Sequence, residues 1–248
     1  MTHINKRVIV TGAAQGIGLG IASRLAKEGA HVALCDINGD KTEREAKKLC
    51  ESGLKVFAVQ ADISVVADIR KMTEYAAGIM GGIDILINNA GILDSSSIAD
   101  MKEETWDRVM AINLKGAFFC CQAALPWLKK SSAPRILNIS SNSGRMGGYE
   151  SGLSYAASKG GILSMTMGMA RQLAPFGITV NAICPGTTET DIIKQWNDQT
   201  IERLKNRVPL GRLGAVTDIA GAAAFLTGDD AAYITGVSLD VNGGMYMA

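Results

Sequence analysis

Tyr155 and Lys159 are the residues whose types and spacing most directly imply chemistry. They stand four apart within Leu153 to Leu173, a run that reads as a helix. At that spacing a phenol and an ammonium share one helix face, a turn from each other. A phenol ordinarily titrates near ~10 and is a poor base at neutral pH. A neighbouring cation favours the phenolate and lowers that value, so the tyrosine can exchange a proton with a carbonyl or alcohol oxygen. The same spacing occurs on many solvated helix faces. The rest of the chain must therefore place a cofactor and a substrate beside the pair.

Other chemically suggestive residues follow short apolar runs. Arg7 to Val10 leads into Thr11-Gly12-Ala13-Ala14-Gln15-Gly16-Ile17-Gly18. Glycines there permit a tight turn and close backbone approach to a phosphate, and a helix opening near Ile17 aims its amides at the anion. Asp36 follows the next run, about 20 residues beyond the glycines, where a carboxylate can accept from a ribose diol and repels a 2′-phosphate. No Arg or Lys adjoins Asp36 in sequence and position 15 is Gln, so NAD is expected over NADP. Asp36 also begins a stretch of turn composition, Asp36-Ile37-Asn38-Gly39. Asp62 and Ile63 can recognise an adenine edge, or Asp62 can cap the following helix. Asn88 and Asn89, before Ala90-Gly91, can bond backbone and shape the floor of a cofactor site. Ser140-Ser141 and the rigid turn Pro185-Gly186 complete the set.

These residues need a scaffold that gathers strand ends. Strand-like runs (Arg7–Val10, His31–Cys35, Lys55–Gln60, Asp84–Asn88, Arg135–Ser140, Thr179–Ile183, Gly236–Val241) alternate with helical ones (Ile17–Glu28, Lys41–Ser52, Val66–Ile79, Glu103–Lys129, Leu153–Leu173, Val216–Thr227). Pro126 suggests a kink or early end to the long helix. Continuously apolar strands separated by helices indicate a parallel sheet covered on both faces, and right-handed crossovers make it doubly wound. The fold class is α/β, in a single domain over residues 1–248, with a less regular segment at 187–209. Ligands of such sheets bind beyond the carboxyl ends of the strands.

Composition narrows the function. The 248 residues are 47% hydrophobic, enough for a sizeable core, and 25 basic against 24 acidic side chains leave a net charge of +1. No basic stripe with interleaved aromatics suggests nucleic-acid binding. No uninterrupted apolar run approaches the ~20 residues of a membrane span, and the N-terminal residues lack a signal peptide's apolar core. Five cysteines without a CxxC pattern read as free thiols in a reducing, cytoplasmic setting. With only His3 and His31, a histidine triad or zinc site is not expected, and no metal is assigned.

Taken together, the glycine turn, Asn88-Asn89-Ala90-Gly91, Asn113, Ser141, the Tyr155–Lys159 pair, Pro185-Gly186 and Val241-Asn242-Gly243-Gly244 resemble the short-chain dehydrogenase/reductase family over nearly the whole chain. The resemblance implies a Rossmann fold with a seven-stranded parallel sheet, three helices on each side, and a homotetramer. It implies catalytic roles for Asn113, Ser141, Tyr155 and Lys159, with Ser140 as the rival of Ser141. Tyr155 is then the general acid/base and Lys159 binds the nicotinamide ribose. Asn113 holds a water in a proton relay, unless it simply bonds backbone within its helix. The dinucleotide would contact Gly12, Gln15, Gly16, Ile17, Gly18, Asp36, Asp62, Ile63, Asn89, Ala90, Gly91, Tyr155, Lys159, Pro185, Gly186, Thr188 and Thr190. The implied reaction is hydride transfer between nicotinamide and a secondary alcohol or ketone.

The substrate is expected to meet Ser141, Asn142, Tyr149 and Tyr155. The surrounding loops carry Asp94, Ser143, Arg145, Glu150, Gln195 and Trp196, a polar set that suits a polyol, sugar or hydroxy acid. A 3-oxoacyl-carrier-protein reductase, an activity usually linked to NADPH, is the alternative enzyme. A dinucleotide-sensing protein without turnover is the alternative of another class. Phe118, Phe119 and the Met165–Met169 run lie on the helices the family packs between subunits, although a methionine stripe is also ordinary core.

Overall fold

The structure, a computed structural model, describes residues 2–148, 151–190 and 198–247. Among these, seven strands form one parallel sheet: β1 (Arg7–Thr11), β2 (His31–Asp36), β3 (Val56–Gln60), β4 (Ile85–Asn88), β5 (Arg135–Ile139), β6 (Thr179–Pro185) and β7 (Ser238–Val241). Their order is β3-β2-β1-β4-β5-β6-β7. The chain builds outward from β1 to β3, then returns to add β4 on the other side of β1. The crevice between β1 and β4 is thus the topological switch point where such sheets bind ligands.

Side-chain alternation along each strand supplies both faces of the sheet. Val8 and Val10 of β1 and Val32 and Leu34 of β2 join one core layer. That layer is completed by α1 (Gly16–Lys27), α2 (Gly39–Glu51) and α9 (Val216–Thr227). Ile9 and Ala33 point the other way, with Ile69, Met72 and Ala76 of α3 (Val66–Met80). That second layer also takes Cys120, Cys121 and Ala124 of α5 (Ala117–Leu128) and Ala170 of α7 (Leu153–Leu173). Three helices therefore cover each face. All five cysteines are free thiols, and Cys35, Cys120, Cys121 and Cys184 are buried.

The long helix differs from its expected form. It comprises α4 (Glu103–Met110), a π-helical turn (Ala111–Gly116) and α5. The irregularity lies at the π turn, and Pro126 sits in the last turn of α5, which ends at Leu128. By length and composition Glu103–Leu128 is apolar enough to cross a membrane. In this fold its buried residues instead pack on the sheet, as those of a core helix do.

Other differences are local. α2 opens at Gly39, before Lys41, because Asn38 Oδ1 accepts from Lys41 N–H at 3.0 Å and caps the helix. β4 begins one residue late because Asp84 serves as an anchor. Its carboxylate accepts from Arg7 Nε (2.8 Å), Arg7 Nη2 (2.7 Å) and Ser131 Oγ (2.6 Å). β6 runs on to Pro185, and two short helices, α6 (Ser143–Met146) and α8 (Asp198–Lys205), occupy segments expected to be irregular. β7 starts at Ser238 where Gly236 was expected.

Candidate active site

The carboxyl ends of the strands open into a cleft of about 820 Å³. Its walls include Gly12, Gln15, Gly16 and Ile17 from the first turn, and Asp36, Asp62 and Ile63 from the next two strand ends. Asn89, Ala90 and Gly91 follow β4, Ser141, Tyr155 and Lys159 lie at the centre, and Pro185, Gly186, Thr188 and Thr190 complete the wall beyond β6. The sequence-predicted set is thus brought together by the register of the strands. Among the predicted cofactor residues, Gly18 alone is not on the wall. It is packed beneath the loop, where an added Cβ would lie 2.2 Å from Gly12 O.

The glycine loop is held from below. Asn89 Nδ2 donates to Thr11 O (3.0 Å) and Gly12 O (2.9 Å), while the N–H groups of Asn89 and Ala90 donate to Thr11 Oγ1. Gly12 has φ +64°, and a Cβ there would stand 2.7 Å from Ala90 Cα. The backbone thus leaves a shallow cradle at the amino end of α1, where unpaired N–H groups favour an anion. Thr190 closes over it, its Cγ2 3.5 Å from where a Cβ of Gly16 would be. This cradle, continuous with a long cleft, fits a dinucleotide pyrophosphate.

Asp36 Oδ2 accepts from Ala14 N–H at 3.1 Å and Oδ1 from Asn38 N–H at 3.0 Å. Its carboxylate is thereby fixed at the edge of the glycine loop. One cation escaped the sequence reading: Lys41 Nζ donates to Gln15 Oε1. Asp36 therefore has a basic neighbour across the loop, five residues on in sequence but carried round by the start of α2. Asp62 Oδ1 accepts from Ser64 N–H (2.8 Å) and Ser64 Oγ (2.7 Å), so part of its carboxylate shapes its own turn. Thr188 Oγ1 likewise donates to Gly186 O (3.1 Å) and rigidifies the turn after β6.

At the centre, Tyr155 and Ser141 face the same cleft. Ser143 N–H donates to Ser141 Oγ at 3.1 Å, which fixes that hydroxyl. Ser140 is excluded from the same role, because its Oγ donates to Lys159 O at 2.8 Å and is buried. Lys159 Nζ donates to Ile139 O at 2.8 Å and stands 5.7 Å from the Tyr155 ring centroid. Desolvation lowers the Lys159 ammonium to about 8, opposed by the Cys184 thiol. The expected depression of the Tyr155 pKa is not what the structure shows. Desolvation raises the phenol above its ordinary value, and the nearby Ser141 hydroxyl only opposes that rise. The ammonium is turned toward the Ile139 carbonyl, not the phenol oxygen.

Asn113 lies within the π turn, a departure from α geometry often found at functional sites. Its Oδ1 accepts from Ile92 N–H (2.8 Å), and its Nδ2 donates to Ile92 O (3.0 Å) and Ser158 Oγ (3.1 Å). It thus ties the cleft wall to the residue before Lys159. A Cβ on Gly91 would meet both Asn113 Oδ1 (3.2 Å) and Lys159 Nζ (3.4 Å), so the three groups converge.

The substrate end departs most from expectation. Asp94 is turned inward, accepting from Ser96 Oγ (2.7 Å) and Ser154 Oγ (2.8 Å). Arg145 is engaged by Ser238 O (2.8 Å) and Asp240 (3.3 Å). Asn142 does line the cleft, and its Nδ2 contacts Met245 Sδ at 2.9 Å. Tyr149, Glu150, Gln195 and Trp196 lie outside the described residues. Ser143 of the expected polar set also lines the cleft, and the wall there is shared with the apolar Ile92, Leu93, Met146, Leu204 and Met245 and with Arg207. The sequence signal for these was slight: apolar residues immediately beyond a strand end or near the C-terminus, in segments where polar ones are usual.

A family model described as enoyl-(acyl carrier protein) reductase matches residues 12–246. A 3-oxoacyl-[acyl-carrier-protein] reductase of Staphylococcus epidermidis is 40% identical over 245 residues, covering 98% of this chain and 100% of the relative. The enzyme of the same name from Escherichia coli K12 is 38% identical over 248 residues, covering 100% of both. A Brucella melitensis structure described as a short-chain dehydrogenase/reductase, glucose/ribitol dehydrogenase, superposes with TM-score 0.94 at 34% identity, covering 100% and 99% of the two chains. A blue fluorescent protein from a metagenomic library, solved in complex with NADPH, superposes with TM-score 0.93 at 35% identity over 100% of both chains.

Proposed function

The chain belongs to the short-chain dehydrogenase/reductase family, and from that premise we propose that it interconverts 3-oxoacyl and 3-hydroxyacyl thioesters with a nicotinamide dinucleotide, NAD(H) preferred. The observation that carries the substrate reading is the apolar wall of Ile92, Leu93, Met146, Leu204 and Met245 beside Ser141 and Tyr155. An acyl chain is solvated poorly by water and well by such a wall. The relatives named 3-oxoacyl-[acyl-carrier-protein] reductase support it. The small polar substrate expected from the loop composition is the weaker reading, since Asp94 and Arg145 are engaged elsewhere. Acetoacetyl N-acetylcysteamine with NADH, set against a polyol and sugar panel with NAD, tests this. Reduction of the thioester at a kcat/KM at least tenfold above the best polyol is expected; the reverse order overturns it.

When bound, the dinucleotide supplies or accepts the hydride. Pro185 and Gly186 form the wall on which its nicotinamide would rest, and Lys159 would hold its ribose. Tyr155 delivers a proton to the carbonyl oxygen in the reductive direction. Ser141 Oγ donates to the same oxygen and stabilises the charge that develops there. Asn113 orients the Ile92 backbone and the start of a relay that would return the proton through Lys159. Ile92 and Leu93 keep water from the carbonyl. The same proposal includes a homotetramer in the cytoplasm, which light scattering tests: a monomeric mass in solution contradicts the assembly.

The protonation states give a pH profile. In reduction, Tyr155 must carry its proton and Lys159 its charge. The phenol, raised above its ordinary value, keeps its proton well past neutrality. Lys159, lowered to about 8, loses its charge first. The kcat/KM for reduction is therefore flat below pH ~7 and falls as pH rises through about 8. A profile still flat at pH 9.5 would contradict the role given to Lys159.

For the cofactor, the Asp36 carboxylate repels a 2′-phosphate, while Lys41 beside Gln15 attracts one. Asp36 is fixed by two backbone N–H groups, whereas Lys41 sits on a flexible stem, so the carboxylate dominates. NADH is expected to exceed NADPH in kcat/KM, and Asp36→Ala to reduce that ratio about tenfold, the effect of one like-charge contact in a partly solvated site. A strong NADPH preference in the unaltered protein overturns the assignment.

A further inference from the structure

We propose that Asp94 is a positioning residue: its carboxylate clasps the strap that follows β4 to the amino end of α7, and so fixes the apolar wall on which the acyl chain lies. The proposal rests on the reaction given above and adds a residue that governs its specificity. Ile92 and Leu93 are the wall residues concerned, and Leu93 is 50% exposed. A side chain so open is not held by its own packing. The backbone on either side must hold it.

The strap is fastened at two points. At Ile92, Asn113 takes both backbone groups, its Oδ1 accepting from the N–H at 2.8 Å and its Nδ2 donating to the carbonyl at 3.0 Å. Beyond Leu93 the fastening is Asp94. Its backbone O accepts from Gly152 N–H at 2.6 Å, and its Oδ2 accepts from Ser154 Oγ at 2.8 Å. Oδ1 accepts from Ser96 Oγ (2.7 Å) and Ser96 N–H (3.2 Å), which fixes the rotation of the carboxylate. Leu93 is the one residue between the two fastenings.

The amino end of α7 is shaped to receive this carboxylate. Its N-cap, Gly152, offers no side chain to the free N–H groups of the first turn. A carboxylate beside that turn is favoured by the positive end of the helix. A Cβ on Gly152 would stand 2.6 Å from Asp94 Oδ2 and 3.0 Å from Asp94 O, so only glycine admits the strap this closely. Ser154 is fully buried, and its hydroxyl has no water to turn to. Hydrogen bonds from Ser96 and then Ser154 hold the Asp94 carboxyl below its ordinary value, against the cost of burial, so it is ionised at neutral pH. Tyr155 follows Ser154 directly. The clasp thus sets the gap between the reacting phenol and the apolar wall.

The test measures reduction of acetoacetyl and 3-oxohexanoyl N-acetylcysteamine with NADH. The longer thioester has two further methylenes, whose burial on a fixed wall lowers KM by about tenfold. In Asp94→Ala that preference is expected to shrink by roughly threefold or more, through a higher KM for the longer thioester, while kcat and NADH affinity change by less than about threefold. Asp94→Asn keeps an acceptor for Ser154 Oγ and should restore most of the preference. Ser154→Ala should shrink it too, and the double variant should lose no more than Asp94→Ala, because both substitutions act through one bond. Gly152→Ala pushes the strap away with Asp94 intact. It should give the same loss, and it carries the test if Asp94→Ala does not fold. An unchanged preference, equal losses on the two thioesters, or additive losses in the double variant overturn the proposal.

Hydrogen exchange reads the clasp without turnover. In protein saturated with NADH, Asp94→Ala should speed exchange at residues 92–97 and 151–156 together, and Asp94→Asn should leave both near their original rates. Faster exchange in neither segment, or in one alone, overturns the clasp. Should no thioester be reduced while both segments depend on Asp94, the reaction assignment fails and the clasp stands.

Discussion

Tyr155→Phe is expected to lower kcat for thioester reduction by a factor of order ~10² to 10⁴, the usual worth of a general acid/base, while leaving the fold and dinucleotide affinity intact. The substitution keeps the ring and removes one oxygen. The group it leaves behind is Ser141 Oγ, which still accepts from Ser143 N–H and donates to Asn142 Oδ1 at 3.2 Å. No buried polar atom is stranded there, so a loss of activity would not reflect a loss of structure. Lys159 keeps its bond to Ile139 O. The variant should therefore bind NADH within threefold of the unaltered protein and unfold at the same denaturant midpoint. Turnover within tenfold of normal would remove Tyr155 from its assigned role. Parallel loss of NADH binding would make its contact with the dinucleotide, and not proton transfer, the source of the loss.

Much of this arrangement was legible because it is local. The alternation of Val8, Ile9 and Val10 announces a strand with two buried faces, and the observed core layers divide those residues as expected. The catalytic pair depends only on helical spacing. What escaped the sequence depends on partners far along the chain. Asp94 looks like a pocket residue until Ser154, 60 positions away, takes its carboxylate. Arg145 is claimed by Asp240, 95 positions on. Lys41 reaches Gln15 across 26 positions only because Asn38 caps α2 early enough to turn it toward the glycine loop.

The shift of Tyr155 was misread for a related reason. Spacing places Lys159 near the ring, but it does not reveal that the Ile139 carbonyl takes the ammonium or that burial acts on both groups. Ser140 and Ser141 are adjacent in sequence and equivalent by composition. Only the packing of β5 against α7, which brings Lys159 O to Ser140, separates them. The position of the π turn had no sequence signal comparable with Pro126, close to which the helix ends at Leu128.

Gly18→Ala should be the most damaging single methyl group in the chain. Gly18 sits in the first turn of α1, where alanine ordinarily stabilises a helix. Here the new Cβ would stand 2.2 Å from Gly12 O and 2.4 Å from Asn89 Nδ2. Neither can retreat freely. Gly12 O belongs to a loop whose backbone already approaches Ala90, and Asn89 Nδ2 is committed to Thr11 O and Gly12 O. Relief requires α1 to move off the sheet or the loop to shift, and either breaks those two bonds. Overpacking of about 1–3 kcal/mol and two bonds of about 1 kcal/mol each give a loss of roughly 3–5 kcal/mol. The displaced loop is also the pyrophosphate cradle, so protein that remains folded should bind NADH at least tenfold more weakly. Gly78→Ala is the matched control. It is also helical, in α3, and its Cβ would have nothing within 4 Å, so stability should rise by about 0.5 kcal/mol. Denaturant midpoints and NADH titrations of both variants decide the matter. If Gly18→Ala unfolds at the midpoint of Gly78→Ala, the close packing of α1 beneath the glycine loop is not what holds the cradle in place.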